Sequence, residues 1–285
     1  LGPLDGVPVT IKDNIGVAGW PMRRGSAVGS DAPFAHDAPS TARLREAGCV
    51  FLGKTTMPEY GWKGVGDSPL SGITRNPWDT NTGPGGSSAG AASCAALNLG
   101  CIHIGTDGAG SVRIPAAFTG VVGLKPTYGR VPAWPVSTMG FLAHLGPLTR
   151  TVTDTALAMN AIGRPDNRDM TAMIDEPPDF VVALKGGVKG LRLAWSPKLG
   201  GDVPVDPEIA ALTREAAFAF RDLGATVEEV DPGFADPIET LMTIWSAGAA
   251  LALRSMGEAE RARMDPGLVA VAEAGERVPG AAYVD

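Results

Sequence analysis

Positive charge, histidine and cysteine are all in short supply in this 285-residue chain. Lys and Arg number 24 against 31 Asp and Glu, giving a net charge of −7. With no basic cluster either, the electrostatic footprint of a nucleic-acid binder is excluded. The three histidines, His36, His103 and His144, are scattered without ligand spacing, so no metal and no other cofactor is expected. Cys49, Cys94 and Cys101 form an odd set with no C-x-x-C pair. Each lies in an apolar context and reads as a buried free thiol in a reducing compartment, the cytoplasm. No apolar run reaches the roughly 18 residues of a membrane span. The nearest, 89–105, is rich in Ala and Gly and interrupted by Asn98 and His103. No signal peptide is present, and the chain opens without Met on LGPLDG, as a piece of a longer protein would.

Glycine and proline, by contrast, are abundant, at 38 and 24 residues. They are spread without a repeat, which points to many tight loops rather than disorder. A hydrophobic content of 44% and a charged content of 19% suit a soluble globular protein with a large core.

Local patterns outline an α/β protein. VPVTIK (7–12) reads as a buried strand ending in Lys12, with Asp13 and Asn14 at a turn. A helix is expected over 38–47, with Asp37 as N-cap and Gly48 beyond its end, then a strand at 49–54. Strand, helix, strand implies a βαβ unit and parallel pairing. Residues 55–82 form a long loop whose Tyr60, Trp62 and Trp78 either line a pocket or pack beneath the loop. Further on, 152–163 reads as a helix, 190–197 as a strand, 206–224 as a helix capped by Asp206, and 225–231 as a strand. Ile209, Leu212, Ala216, Phe220 and Leu223 form the apolar stripe of the helix over 206–224. The polar, Pro-containing stretch 164–180 reads as an internal loop of a single domain spanning 1–285.

The chemistry concentrates in two Gly/Ser-rich loops, GPGGSSAG (83–90) and GTDGAGS (105–111), joined by a small-residue helix and the strand CIHIG (101–105). Ser87 or Ser88 can cap that helix. Glycine lets backbone N–H groups approach a ligand, and Gly108, Ala109, Gly110 and Ser111 offer a nest of such donors. Arg113, six residues after Asp107, is placed for an internal ion pair. With no suitable histidine, a serine nucleophile needs another base, and Lys12 is a candidate. Lowering its pKa from ~10.4 toward ~7–8 by burial costs roughly 4 kcal/mol. Taken alone, Lys12 reads first as an exposed strand-end lysine, ahead of a buried base. Phosphate binding is a rival, since G-x-x-x-x-G occurs at 105–110, but Ser111 stands where a P-loop needs lysine. A nucleotide-binding module or a non-catalytic scaffold is the alternative of another class.

PLDGVPVTIKDNI, GPGGSSAG and GTDGAGSVRIPAAFTGVVGLKPTYGRVP together resemble the amidase signature family over nearly all of residues 2–150. The separations agree, with 75 residues from Lys12 to Ser87 and 24 from Ser87 to Ser111. The resemblance implies a mixed, mostly parallel sheet covered by helices on both faces. It also implies a Ser–cis-Ser–Lys triad: Ser111 as nucleophile, Ser87 on a cis peptide bond as proton bridge, and Lys12 as base. Gly108 to Ser111 would supply the oxyanion hole, with Ser88, Thr106, Asp107 and Arg113 in support. The implied substrate is a small-molecule amide, and homodimers occur in the family. The glutamine-hydrolysing A subunit of tRNA-dependent amidotransferases is a relative with the same chemistry. Pro58, however, replaces an acidic residue of its M-D-E-F-A-M-G pattern, which favours a stand-alone amidase. Two departures stand out. The D-x-G-G-S loop has become Asp107-Gly108-Ala109-Gly110-Ser111, and Ala89 replaces a glycine of GGSSGG. If position 109 needs a positive φ, its methyl group adds about 1 kcal/mol of strain unless Gly108 takes the bend.

Overall fold

The computed structural model describes residues 2–284. In chain order the elements are β1 (Pro8–Lys12), α1 (Pro39–Glu46), β2 (Val50–Thr55), β3 (Asp67–Ser68), β4 (Gly72–Ile73), α2 (Ala89–Ala96), β5 (Ile102–Asp107) and α3 (Arg113–Thr119). They continue with β6 (Val122–Gly123), β7 (His144–Thr149), α4 (Val152–Ile162), α5 (Phe180–Ala183), β8 (Arg192–Trp195), α6 (Pro207–Phe218) and β9 (Thr226–Glu229). The helices α7 (Ile238–Leu253), α8 (Glu258–Arg261), α9 (Pro266–Gly275) and α10 (Gly280–Val284) complete the chain. Two compact units emerge, one of Leu1–Val181 with Thr243–Asp285 and one of Val182–Met242.

The larger unit is α/β, built on a mixed five-stranded sheet in the order β2-β1-β5-β7-β6. β1 pairs in parallel with β2 and β5, while β7 runs antiparallel to β5 and β6. Strand alternation sorts the side chains onto two faces. Val9 and Ile11 of β1, Ile102 and Ile104 of β5 and Leu145 of β7 pack against Leu44 of α1 and Met159 and Ile162 of α4. On the opposite face, Leu148 packs with Ala91 and Ala92 of α2 and with Val112 and Ala116 around α3. Thr10, Lys12 and His103 have the alternation of that second face. There the small residues of α2 bring its backbone close to the sheet.

Several local expectations change. Ala38, not Asp37, is the N-cap of α1. The Asp37 carboxylate instead accepts from the Ala18 amide (2.8 Å) and the Arg45 guanidinium (2.7 Å), tying the preceding loop to the helix. Cys49 is buried, but Cys94 is half-buried and Cys101 exposed, because Cys101 lies in the turn just before β5 rather than within it. Two elements carry too little periodicity to be read in advance. One is α3, which starts two residues after a Gly-rich loop and contains Pro115. The other is β7, whose HLGPLT includes a glycine and a proline.

The smaller unit is a β8–α6–β9 arrangement with parallel strands in register Arg192↔Thr226 to Trp195↔Glu229. Asp206 caps α6 as expected, accepting from the Glu208 amide at 2.9 Å, with Pro207 at the first helical position. The apolar stripe of that helix is not buried, and Ile209 and Leu212 remain 52% and 55% exposed. Two strands of four residues give the helix little surface to pack on. No helix among the described residues is long and apolar enough to cross a membrane.

One glycine on the second sheet face sets how closely α2 can approach. A Cβ at Gly105 would meet Ser88 Oγ at 2.6 Å and Ser88 Cβ at 2.9 Å. Gly105→Ala should therefore force the start of α2 off the sheet. We expect a stability loss of about 1–3 kcal/mol, measured by denaturant unfolding, because overpacking a dense core strains its neighbours. Unchanged stability would show that the contact is not tight.

Candidate active site

Three chain segments converge beneath the start of α2. β1 delivers Lys12 at its last position, the turn before α2 delivers Ser87 and Ser88, and the loop between β5 and α3 delivers Ser111. Lys12 is completely buried, while Ser87 is 3% and Ser111 8% exposed. The parallel pairing of β1 with β5 sets the C-terminal ends of the two strands side by side. The Lys12 amine thus reaches the residues that follow β5's midpoint.

Lys12 Nζ lies 2.6 Å from Ser87 Oγ, 3.1 Å from Ser88 Oγ, 2.8 Å from Thr106 Oγ1 and 3.3 Å from the Thr106 carbonyl. All four partners are neutral oxygens. Burial away from water lowers its pKa from 10.5 to about 7, against the opposing pull of the Asp107 carboxylate. A neutral amine donates two hydrogens and accepts one, so Ser87 O–H can donate to the nitrogen across the shortest of these contacts. The expectation that Lys12 is an exposed strand-end lysine is thereby removed.

Ser88 does not cap α2 through its side chain. Its hydroxyl donates to the Thr106 carbonyl (3.1 Å) and accepts from the Thr106 amide (3.2 Å) as well as from Lys12. Asn14 Nδ2 donates to Thr106 Oγ1 at 3.0 Å. Thr106 is thus the junction joining Asn14, Lys12 and Ser88.

The Gly/Ser loop over 105–111 is held by one carboxylate. Asp107 is fully buried and accepts from the Gly110 amide (2.7 Å), the Val112 amide (3.1 Å), and Nε (3.0 Å) and Nη2 (2.9 Å) of Arg113. Burial alone would raise its pKa, but these donors outweigh it and hold the group at about 2. The Gly110 amide is consequently taken and is not aimed at the cleft, a correction to the expected four-donor nest. The amides of Gly108, Ala109 and Ser111 have no acceptor among the described residues. Gly110, with φ of 110°, takes the bend. Ala109 is not among the residues with positive φ, so the alanine carries no backbone strain there.

Ser111 Oγ accepts a hydrogen bond from the Ser87 amide at 3.1 Å, and the Ser111 carbonyl accepts from the Ser88 amide at 3.1 Å. These contacts join the two Gly/Ser loops. The cis peptide bond expected before Ser87 is absent, since the one cis bond among the described residues is Trp134–Pro135. Gly85 and Gly86, at φ of 74° and 59°, turn the chain into Ser87 instead.

Ser87, Ser111, Thr106 and Gly108 open onto a cleft of about 310 Å³ within the larger unit. Its apolar walls include Ile15, Met22, Trp134 and Trp245. Trp245 lies over Gly108, where a Cβ would approach the ring to 3.1 Å. Tyr60 lines the cleft, whereas Trp62 packs in the cluster around α7 and α9, and Trp78 is 72% exposed. Asn14 and Arg24 also line the cleft and carry no distinguishing signal in the sequence. Among the described residues no group of three or more His, Cys, Asp and Glu side chains could hold a metal ion.

Asp107→Asn should loosen this loop, because a carboxamide cannot accept from all of these donors at once. Losing one partner of a buried, hydrogen-bonded pair costs about 3–5 kcal/mol, reduced here because Arg113 is 52% exposed. We expect a stability loss of about 2–3 kcal/mol in urea unfolding, with reactivity at Ser111 falling as well. A variant as stable as the parent would rule out this role for Asp107.

Comparison with known proteins places the chain in a family. The Amidase family model matches residues 1–273. An acylamidase from Rhodococcus erythropolis is 44% identical over 283 residues, covering 98% of this chain and 59% of that protein. The A subunit of a glutamyl-tRNA(Gln) amidotransferase from Symbiobacterium thermophilum is 42% identical over 232 residues, covering 80% of this chain and 47% of its own length. Among solved structures, a bacterial aryl acylamidase of the amidase signature family superposes with a TM-score of 0.90 at 33% identity, covering 100% of this chain and 61% of that one. The 6-aminohexanoate cyclic dimer hydrolase in complex with substrate gives a TM-score of 0.93 at 31% identity, covering 100% and 62%. The chain therefore spans between 47% and 62% of the length of these relatives. A match over almost the whole chain, joined to the fold and the convergent Lys12, Ser87 and Ser111, establishes that it belongs to the amidase signature family.

Proposed function

We propose that this chain carries the active site of an enzyme that hydrolyses the C–N bond of small-molecule amides. The observation that carries the reading is a fully buried lysine with a pKa of about 7, 2.6 Å from Ser87 Oγ. The same Ser87 binds Ser111 Oγ through its amide at the wall of the cleft. A base poised near neutral pH, hydrogen-bonded to the hydroxyl of a serine whose amide holds a second serine, suits acyl transfer without histidine.

Ser111 Oγ attacks the amide carbonyl and forms the new C–O bond. Its proton passes to Ser87 Oγ as the Ser87 proton passes to Lys12 Nζ. The amides of Gly108, Ala109 and Ser111 receive the oxyanion in place of the four donors anticipated. On collapse the C–N bond breaks, Ser87 protonates the departing amine, and Lys12 returns its proton to Ser87. Water then enters by the same relay and releases the acid, leaving the starting protonation states restored. Ser88, Thr106 and Asn14 orient the amine, while Asp107 and Arg113 hold the loop.

A second reading, glutamine hydrolysis within an amidotransferase, rests on the 42% identity to the A subunit of such an enzyme. The acylamidase matches 98% of the chain against 80% for that relative, which favours the stand-alone amidase. Glutaminase activity appearing only with added partner subunits would reverse the order.

Two measurements test the mechanism. A fluorophosphonate probe should label Ser111 alone, as mapped by peptide mass spectrometry. Ser111→Ala should abolish labelling and lower amide turnover by ~10⁴-fold or more, as removal of a serine nucleophile does elsewhere. Lys12→Ala should also abolish labelling, and Ser87→Ala should strongly reduce it. An adduct on another serine would sink the assignment. The second measurement is the pH profile of kcat/KM. The amine must be neutral to act, so activity should rise about tenfold per unit below pH 7 and level off above it. A flat profile between about pH 5 and 9 would exclude Lys12 as the base.

A further inference from the structure

We propose that the cleft selects amides that carry a carboxylate, which docks on Arg24 and Arg254; this rests on the reading of the cleft as the site of amide hydrolysis. The chain as a whole is acidic, at −7, yet the charged side chains lining the cleft are Arg24, Arg254 and Asp107. Asp107 is neutralised by Arg113 and buried under its own amide donors. Neither Arg24 nor Arg254 has a carboxylate within ion-pair distance among the described residues. The nearby acids lie outside the cleft lining and accept from other groups, Asp13 from the Gly25 amide, Glu59 from Ser26 and the Asp265 amide, and Glu260 from the Gly257 amide. Among the charged side chains that line the cleft the surplus is therefore cationic, and a cleft with low-dielectric walls focuses that field on an incoming anion.

Arg24 is also presented in an unusual way. Its φ is 56° and that of Tyr60 is 53°, both left-handed values that side chains other than glycine seldom adopt. The two strained residues are locked together, since the Tyr60 amide donates to the Arg24 carbonyl at 2.7 Å. The guanidinium carbon stands 5.9 Å from the Tyr60 ring centroid. Gly25, next in the chain, is pinned by the Asp13 carboxylate at 2.9 Å and crosses Met57 so closely that a Cβ would lie 2.5 Å from its carbonyl oxygen. Strain of this kind persists where the surroundings over-determine it, and ligand clamps are where it gathers. The half-buried Arg24 offers a planar fork suited to a carboxylate. Arg254, exposed at the end of α7, adds a second cation to the same cleft. The apolar walls leave the body of the substrate aliphatic or aromatic. The class that fits is an amide with an apolar body bearing one carboxylate, such as an N-acylated amino acid or a carboxylated anilide.

The test separates binding from turnover by using Ser111→Ala. Calorimetry compares 4-acetamidobenzoate with its uncharged match, 4-acetamidobenzamide. The carboxylate should bind at least ~10-fold more tightly, with the preference declining as NaCl is raised. Adding Arg24→Met should reduce the preference to about twofold or less, and Arg24→Lys should restore part of it. Arg254→Met, an exposed change with little effect on folding, should lower the preference and flatten its salt dependence. Equal binding of the two probes, or a preference that survives removal of both arginines, overturns the proposal. If the parent chain hydrolyses neither probe while Ser111→Ala still prefers the carboxylate, the amidase reading falls and the carboxylate site stands.

Discussion

The structure depends on keeping one amine out of water with only neutral oxygens around it. Lys12 has no carboxylate at hydrogen-bond distance, and its contacts are Ser87, Ser88 and the two oxygens of Thr106. The unfolded chain holds that proton up to about pH 10.5 and the folded chain only up to about 7. Between those values the unfolded state binds more protons, so the group's contribution to stability improves as pH rises and is least favourable below pH 7. The full difference, roughly 5 kcal/mol, is comparable with the net stability of an ordinary domain. Such a cost is tolerable only in a dense core. Val9 and Ile11 on one face of β1 and the small residues of α2 on the other provide it.

From that requirement the arrangement of the neighbouring segments follows. The amine needs acceptors, so the start of α2 must sit close to β5, and Gly105 permits this by having no side chain. Ser87, once fixed by the amine, fixes Ser111 through its backbone amide. Asp107 completes the set by folding the loop around itself rather than by approaching the amine as a partner. His103, on the same sheet face, is pushed by burial to a pKa of about 4 and shares its Nδ1 with Thr10. It therefore stays neutral where Lys12 titrates, and the layer beneath α2 has one group that changes charge near neutral pH.

Much of this is legible in the chain itself. The strand ending in Lys12, the two Gly/Ser loops and the Asp107–Arg113 pair are local patterns or fixed spacings, and they survive intact. What is not legible depends on distance. No sequence rule tells whether a strand-end lysine meets water or the underside of a helix. Asn14, Arg24, Trp134 and Trp245 come to one cleft from separate segments, and only the tertiary fold brings them together. The stripe on α6 fails for the opposite reason, because a correct periodicity finds too little sheet to cover it. Asp37 and Ser88 have the look of helix caps, yet the carboxylate of one and the hydroxyl of the other find partners elsewhere in the fold.

The Gly/Ser loop over 105–111 also bears on how such motifs are written. Its left-handed bend falls on Gly110, where a Cβ would also meet Ile114 at 2.6 Å, and the close contact with Trp245 falls on Gly108. Position 109 carries neither burden. The two glycines flanking Ala109 thus hold the information of the motif, and the residue between them is free to vary. A pattern that demands glycine at 109 would pass over a chain in which Lys12, Ser87 and Ser111 still converge.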